Sequence, residues 1–179
     1  GAVHVARILC RTPAALEPTD IAAPALQALR ASRVREVLLL GRRGPAQAAF
    51  TNPELKELGE LAEADVVVDT REIELDEHSA HQLSGHEDRT AEKNLHTLHE
   101  FASRKPEGRK RRIVLRFLVS PVEILGGNRV EGVKVAKNRL VRAPGGDLRA
   151  EATGETETLP AGLIFRSVGY KGVAIPGLP

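Results

Sequence analysis

Two short apolar runs, VREVLLL (34–40) and ADVVVDT (64–70), constrain the fold most strongly. Each is too short for a membrane span and too continuous for a half-exposed hairpin strand, so each reads as a strand buried on both faces. Helical patterns surround them. VHVARIL (3–9) has one apolar side, and a second helix runs roughly from Ala23 to Ala31, with Thr19 or Asp20 as its cap and Arg30 near its C-terminal end. ELKELGELA (54–62) is a third, with Asn52 as cap and Pro53 at its first position. Helix, strand, helix, strand over 70 residues predicts an α/β fold, a doubly wound, Rossmann-like parallel sheet wrapped by helices.

The remainder changes character. Residues 72–88 are acidic and histidine-rich, and 89–104 form an amphipathic helix through Ala91, Leu95, Leu98 and Phe101. RIVLRFLV (112–119), 122–136 and RLVRA (139–143) then predict an antiparallel β excursion, with hairpin turns at Gly126-Gly127-Asn128 and Gly145-Gly146-Asp147. ETLP (157–160) reads as a turn into a last strand, LIFRSVG (163–169).

Composition excludes some functions. A hydrophobic content of 41% with 28% charged residues is that of a globular protein, and a net charge of +2 is too small to coat nucleic acid. The single Cys10 permits no internal disulfide or CxxC pair, and no apolar run is long enough to span a membrane. A cytoplasmic protein without a nucleic-acid partner or a membrane span is the expectation. Histidines 78, 81, 86, 96 and 99 lie among carboxylates, but no HExxH motif orders them into a zinc site.

The chemistry-bearing feature is Arg42-Arg43, directly after the first strand and its closing Gly41. In a dinucleotide-binding βαβ unit the corresponding position meets the adenosine ribose, where arginine accommodates the 2′-phosphate of NADP. Two readings stay open at this level, a solvated basic turn and a phosphate site. The GxGxxG turn that would hold a pyrophosphate is absent. A second basic run, Arg104, Lys105 and 109–112, is open to two readings as well: a solvated loop, or a docking surface for an acidic protein.

Longer stretches carry a resemblance. VARIL (5–9), TDIA (19–22), VREVLLLGRRGPAQAAFTNPELKELGEL (34–61), FLVSPVEI (117–124), LPAGLIFRSVGYKG (159–172) and PGLP (176–179) resemble ferredoxin–NADP⁺ reductases of the adrenodoxin-reductase type. GRRGPAQAAF followed by PELKEL is its most specific part. The resemblance implies residues 1–168 as most of an NADP-binding domain that starts just past its glycine turn. Residues 169–179 would begin the return to an FAD domain absent from this chain.

It further implies that Arg42 and Arg43 bind the NADP 2′-phosphate and that Glu54 lies near the nicotinamide-nucleotide path. Gly169 and Tyr170 would lie near FAD, and a ferredoxin-type iron–sulfur protein would be the electron-transfer partner. The chain alone is then expected to have no reductase activity. Without the first, central strand, the VLLL and LIF strands lose their shared partner, and a marginal or aggregation-prone chain is expected. His4 departs from the family, which usually carries aspartate there. The NADPH-handling domain of a related flavoenzyme such as a glutamate synthase subunit, and a non-catalytic nucleotide-binding module, are the alternatives.

Overall fold

A computed structural model describes residues 1–84 and 89–169. Helices α1 (Ala2–Cys10), α2 (Pro13–Leu16) and α3 (Ala23–Arg30) precede strand β1 (Glu36–Leu40). Helix α4 (Asn52–Gly59), strand β2 (Ala64–Val68), and helices α5 (Glu77–Ser84) and α6 (Arg89–Ser103) follow. Strands β3 (Arg111–Arg116), β4 (Val119–Leu125), β5 (Gly132–Arg142) and β6 (Leu148–Pro160) complete the described elements.

β1, β3 and β2 form a parallel sheet in that order, and β4, β5 and β6 form an antiparallel one. The predicted class, a parallel α/β sheet with an antiparallel excursion, is what the chain adopts. Side-chain alternation along β1 explains how the two sheets meet. Val37 and Leu39 pack into a core made by Val3, Ala6 and Cys10 of α1, Leu55 and Leu58 of α4, and Leu98 and Phe101 of α6. Leu38 and Leu40 face the other way, against Val133, Val135 and Leu159 of the antiparallel sheet. Helices therefore cover one face of the parallel sheet, while strands rather than further helices meet Leu38 and Leu40 on the other.

Several local expectations are corrected. β1 and β2 are half-buried rather than buried on both faces, because among the described residues each pairs with β3 alone and forms an edge; β3 is the central strand. The cap of α4 is Thr51, not Asn52. Asn52 instead ties α4 to α6, donating from Nδ2 to the Lys93 carbonyl and to Thr97 Oγ1, each at 3.1 Å. Residues 139–143 are no separate strand, since β5 continues past a bulge in β6 to Arg142.

ETLP is not a turn. It is the end of β6, where Leu159 pairs with Val133 and is buried by it. Residues 161–169 form no strand, because none of the described strands pairs with them; Leu163, Phe165 and Val168 are exposed while Ile164 packs against the Val133, Val135 and Leu159 cluster.

Candidate functional site

The carboxyl ends of the parallel strands gather the sequence-selected residues. Chain crossing from β1 to α4 passes through Arg42 and Arg43 and a short 3-10 turn, Pro45–Gln47, before Thr51 starts the helix. α4 then returns to β2, so its first turn lies at the same end of the sheet as the arginines. His4 Nδ1 stands 3.4 Å from Glu54 Oε1, which brings the first turn of α1 to this end too. Ligands of open α/β sheets bind at this end, and helix N-termini there favour anions.

Both guanidiniums are exposed, and neither pairs with a carboxylate among the described residues. Arg43 Nη2 makes one long contact, 3.4 Å, to the Gln47 carbonyl. Their backbone, by contrast, is held tightly. The Gly41 carbonyl accepts from Val119 N at 3.1 Å, and the Arg43 carbonyl from Leu118 N at 3.1 Å. The Arg42 carbonyl accepts from Asn138 Nδ2 at 2.9 Å. An open groove of about 480 Å³ adjoins Arg43 and is lined on its far side by His78, His81, Arg142 and Arg149.

Glu54 does local structural work. Its Oε2 accepts from Thr51 N at 2.8 Å and from Thr51 Oγ1 at 2.9 Å, while Thr51 Oγ1 caps Glu54 N. Those bonds, with smaller help from His4, hold its carboxyl below the usual range. His4 meets both Glu54 and the Gly1 amino group, at 3.3 Å, so this departure from the family pattern has a polar partner. Gly169 is exposed with φ +82, and nothing approaches a Cβ built on it. Tyr170 lies outside the described residues.

The second basic run is mostly engaged internally. Arg111 is buried and donates to the Val34 and Arg11 carbonyls; Arg112 pairs with Glu36. Arg109 bonds Leu61 and Glu107, and Arg104 lies over the Phe101 ring, 4.9 Å from its centroid. Only Lys105 and Lys110 lack a side-chain ion pair, ring contact or carbonyl hydrogen bond there among the described residues, which weakens the docking-surface reading. No group of three or more candidate metal ligands occurs among the described residues, and no described helix is long and apolar enough to cross a membrane.

Asn138, Ser120 and Leu118 were not singled out from sequence. A phase slip in the apolar pattern of β5 was the available signal: Val133 and Val135 give way to Ala136, Asn138 and Leu140 as the buried set. Opposite that slip the bulge lies in β6, whose residues 153–155 face Lys137 alone.

A scan against protein-family models gives no match. Curated relatives do match. NADPH-ferredoxin reductase FprA of Mycobacterium tuberculosis is 47% identical over 99% of this chain and 38% of its own length. Rat mitochondrial NADPH:adrenodoxin oxidoreductase is 39% identical over 99% of this chain and 37% of its own. The structure of M. tuberculosis FprA in complex with NADPH superposes with a TM-score of 0.88 at 45% identity, over 99% of this chain and 38% of that one. The resemblance carried by GRRGPAQAAF and PELKEL is thereby borne out: across its whole length this chain is related to the NADPH-ferredoxin and adrenodoxin reductases, and it spans about 38% of the length of the FprA it matches.

Proposed function

We propose that residues 1–168 act as the NADP-binding portion of an NADPH-ferredoxin reductase. The observation that carries this is the pair of adjacent, exposed guanidiniums, unpaired among the described residues, at the carboxyl end of β1. Two charge-assisted bonds to a 2′-phosphate, at roughly 1.5–3 kcal/mol each, supply on the order of 10²–10⁴-fold preference for NADP. The α1 N-terminus, with Gly1 as its cap, presents backbone N–H groups at the same end of the sheet and suits the remaining phosphates. Glu54 borders the path between the two.

On this reading the nicotinamide cofactor, when bound, supplies a hydride for an FAD held elsewhere in the reductase, and this chain's residues bind and orient it. Residues 169–179, with Gly169 and Tyr170, lead toward that FAD. A ferredoxin-type iron–sulfur protein receives the electrons singly, in the cytoplasm. What supports the nicotinamide cofactor and the iron–sulfur partner is the kinship with enzymes named NADPH-ferredoxin reductase and NADPH:adrenodoxin oxidoreductase.

The test is a pair of titrations followed by NMR shift changes in this chain, with 2′-AMP and 5′-AMP as probes. The chain is expected to bind 2′-AMP more tightly, and Arg42→Ala with Arg43→Ala to abolish that preference. In the reductase, the same change raises KM for NADPH far more than for NADH. Equal effects on both nucleotides in both assays would remove the assigned role.

A further inference from the structure

Arginine side chains discriminate a phosphate only if their backbone is fixed, and three consecutive carbonyls of the Gly41–Arg43 turn are fixed by the other sheet. The donors are Val119 N, Asn138 Nδ2 and Leu118 N. Two belong to the junction where β3 passes into β4. The middle one is a side chain from β5, 96 residues away in sequence.

Asn138 is itself immobilised. It is 8% exposed, its Nδ2 also donates to Ser120 Oγ at 2.7 Å, and its backbone N donates to the Leu118 carbonyl at 2.7 Å. A buried amide that bridges two elements costs stability wherever its hydrogen bonds are incomplete, so its place here is specific. Pairing along β5 jumps from Ala136↔Thr156 to Asn138↔Ala152, so β6 carries the bulge, with residues 153–155 opposite Lys137; at this point Asn138 is buried while Lys137 is exposed. Leu118 has φ +53, the only positive φ of a non-glycine residue among those described. That conformation is disfavoured for leucine by Cβ sterics. Asn138 and the left-handed Leu118 converge on the same short turn, and both donate to its carbonyls.

We infer that Asn138 is the positioning residue for Arg42 and Arg43, and that it thereby sets 2′-phosphate discrimination without touching the nucleotide. This rests on the proposed role of the arginine pair. Both donors of the Asn138 amide are taken by protein atoms, the Arg42 carbonyl and Ser120 Oγ, so its removal leaves the charges in place and loosens only their geometry. Discrimination should fall while general nucleotide affinity stays, which is the signature that separates positioning from a general loss of structure.

The experiment compares Asn138→Ala, Asn138→Asp and Ser120→Ala in this chain, with 2′-AMP and 5′-AMP as probes and urea unfolding as a check on folding. Asn138→Asp keeps shape but loses the donor to the Arg42 carbonyl; Asn138→Ala adds no charge. Both are expected to weaken 2′-AMP about five- to tenfold and 5′-AMP less than twofold, by loss of one hydrogen bond's worth of order. Ser120→Ala leaves the Asn138–Arg42 bond and is expected to keep the preference. If either Asn138 variant folds and keeps the full preference, or weakens both probes equally, the inference is overturned. Should Asn138→Ala fail to fold, Asn138→Asp decides alone; failure of both would make the residue structural and overturn the inference as well. Arg42→Ala with Arg43→Ala, run alongside, separates the two claims: loss of preference there but not at Asn138 removes the positioning role only, and no loss there removes the site reading itself.

Discussion

Thr51 and Glu54 close a reciprocal capping box at the start of α4, with Glu54 Oε2 accepting from Thr51 N and Thr51 Oγ1 accepting from Glu54 N. One carboxylate thus serves a helix end and borders the proposed cofactor path. Thr51→Ala is expected to cost about 1 kcal/mol in urea unfolding. Glu54→Gln should cost far less, because a glutamine also reaches the cap N–H. An effect of Glu54→Gln on nucleotide affinity with stability kept would therefore report the charge, whereas Glu54→Ala mixes both roles.

Asp65 fastens the loop before β3. Its carboxylate accepts from Glu107 N at 3.0 Å and Arg109 N at 2.9 Å; burial works against the charge, but these bonds and Arg109 win and hold its pKa below the ordinary value. A depressed folded pKa stabilises the fold above the unfolded value, near 3.9, and that contribution is lost as pH falls through the folded value. Stability is expected to drop below about pH 4. Asp65→Asn should flatten that acid limb; an unchanged slope in urea titrations from pH 2 to 6 would count against it.

Gly59 ends α4 beneath α6. A Cβ there would lie 2.6 Å from Phe101 Cε1 and 2.8 Å from Arg104 Nη1. Phe101 is 2% exposed and has little room to yield. Gly59→Ala is expected to destabilise by about 1–3 kcal/mol, the overpacking cost exceeding a helix-propensity gain of about 1 kcal/mol at most. A gain in the urea midpoint would show that the ring moves freely.

Leu163, Phe165 and Val168 lie in water, and β1 is an edge of the parallel sheet among the described strands. Exposed apolar side chains and an unpaired strand edge both favour self-association. Sedimentation velocity is expected to show concentration-dependent association, reduced by Phe165→Ser with Val168→Ser at unchanged Tm. Association as strong in the double variant would place the contact elsewhere.

Local signals made much of this legible. β2, β3, α4 and α6 follow from apolar periodicity, and Arg42-Arg43 stood out by position, since a doubled arginine closing a strand is a local pattern. Edge or centre was not legible: VREVLLL and ADVVVDT read alike, although both flank β3. LIFRSVG has the pattern of a strand, yet a strand needs a neighbour to accept its hydrogen bonds, and none of the described strands adjoins it. The second basic run looked like a surface because sequence shows charge without showing the carbonyls of Val34 and Leu61 that consume it.

The sequence by itself determined the elements and the charged turn, because hydrophobic period and residue type act over a few positions. Only the tertiary structure decided what holds that turn. Asn138 and Leu118 reach Arg42 and Arg43 because two sheets pack through Leu38, Leu40, Val133 and Val135, and because the buried side of β5 changes between Val135 and Asn138. Hydrogen bonds between residues 96 positions apart depend on that packing and leave no local trace in the chain.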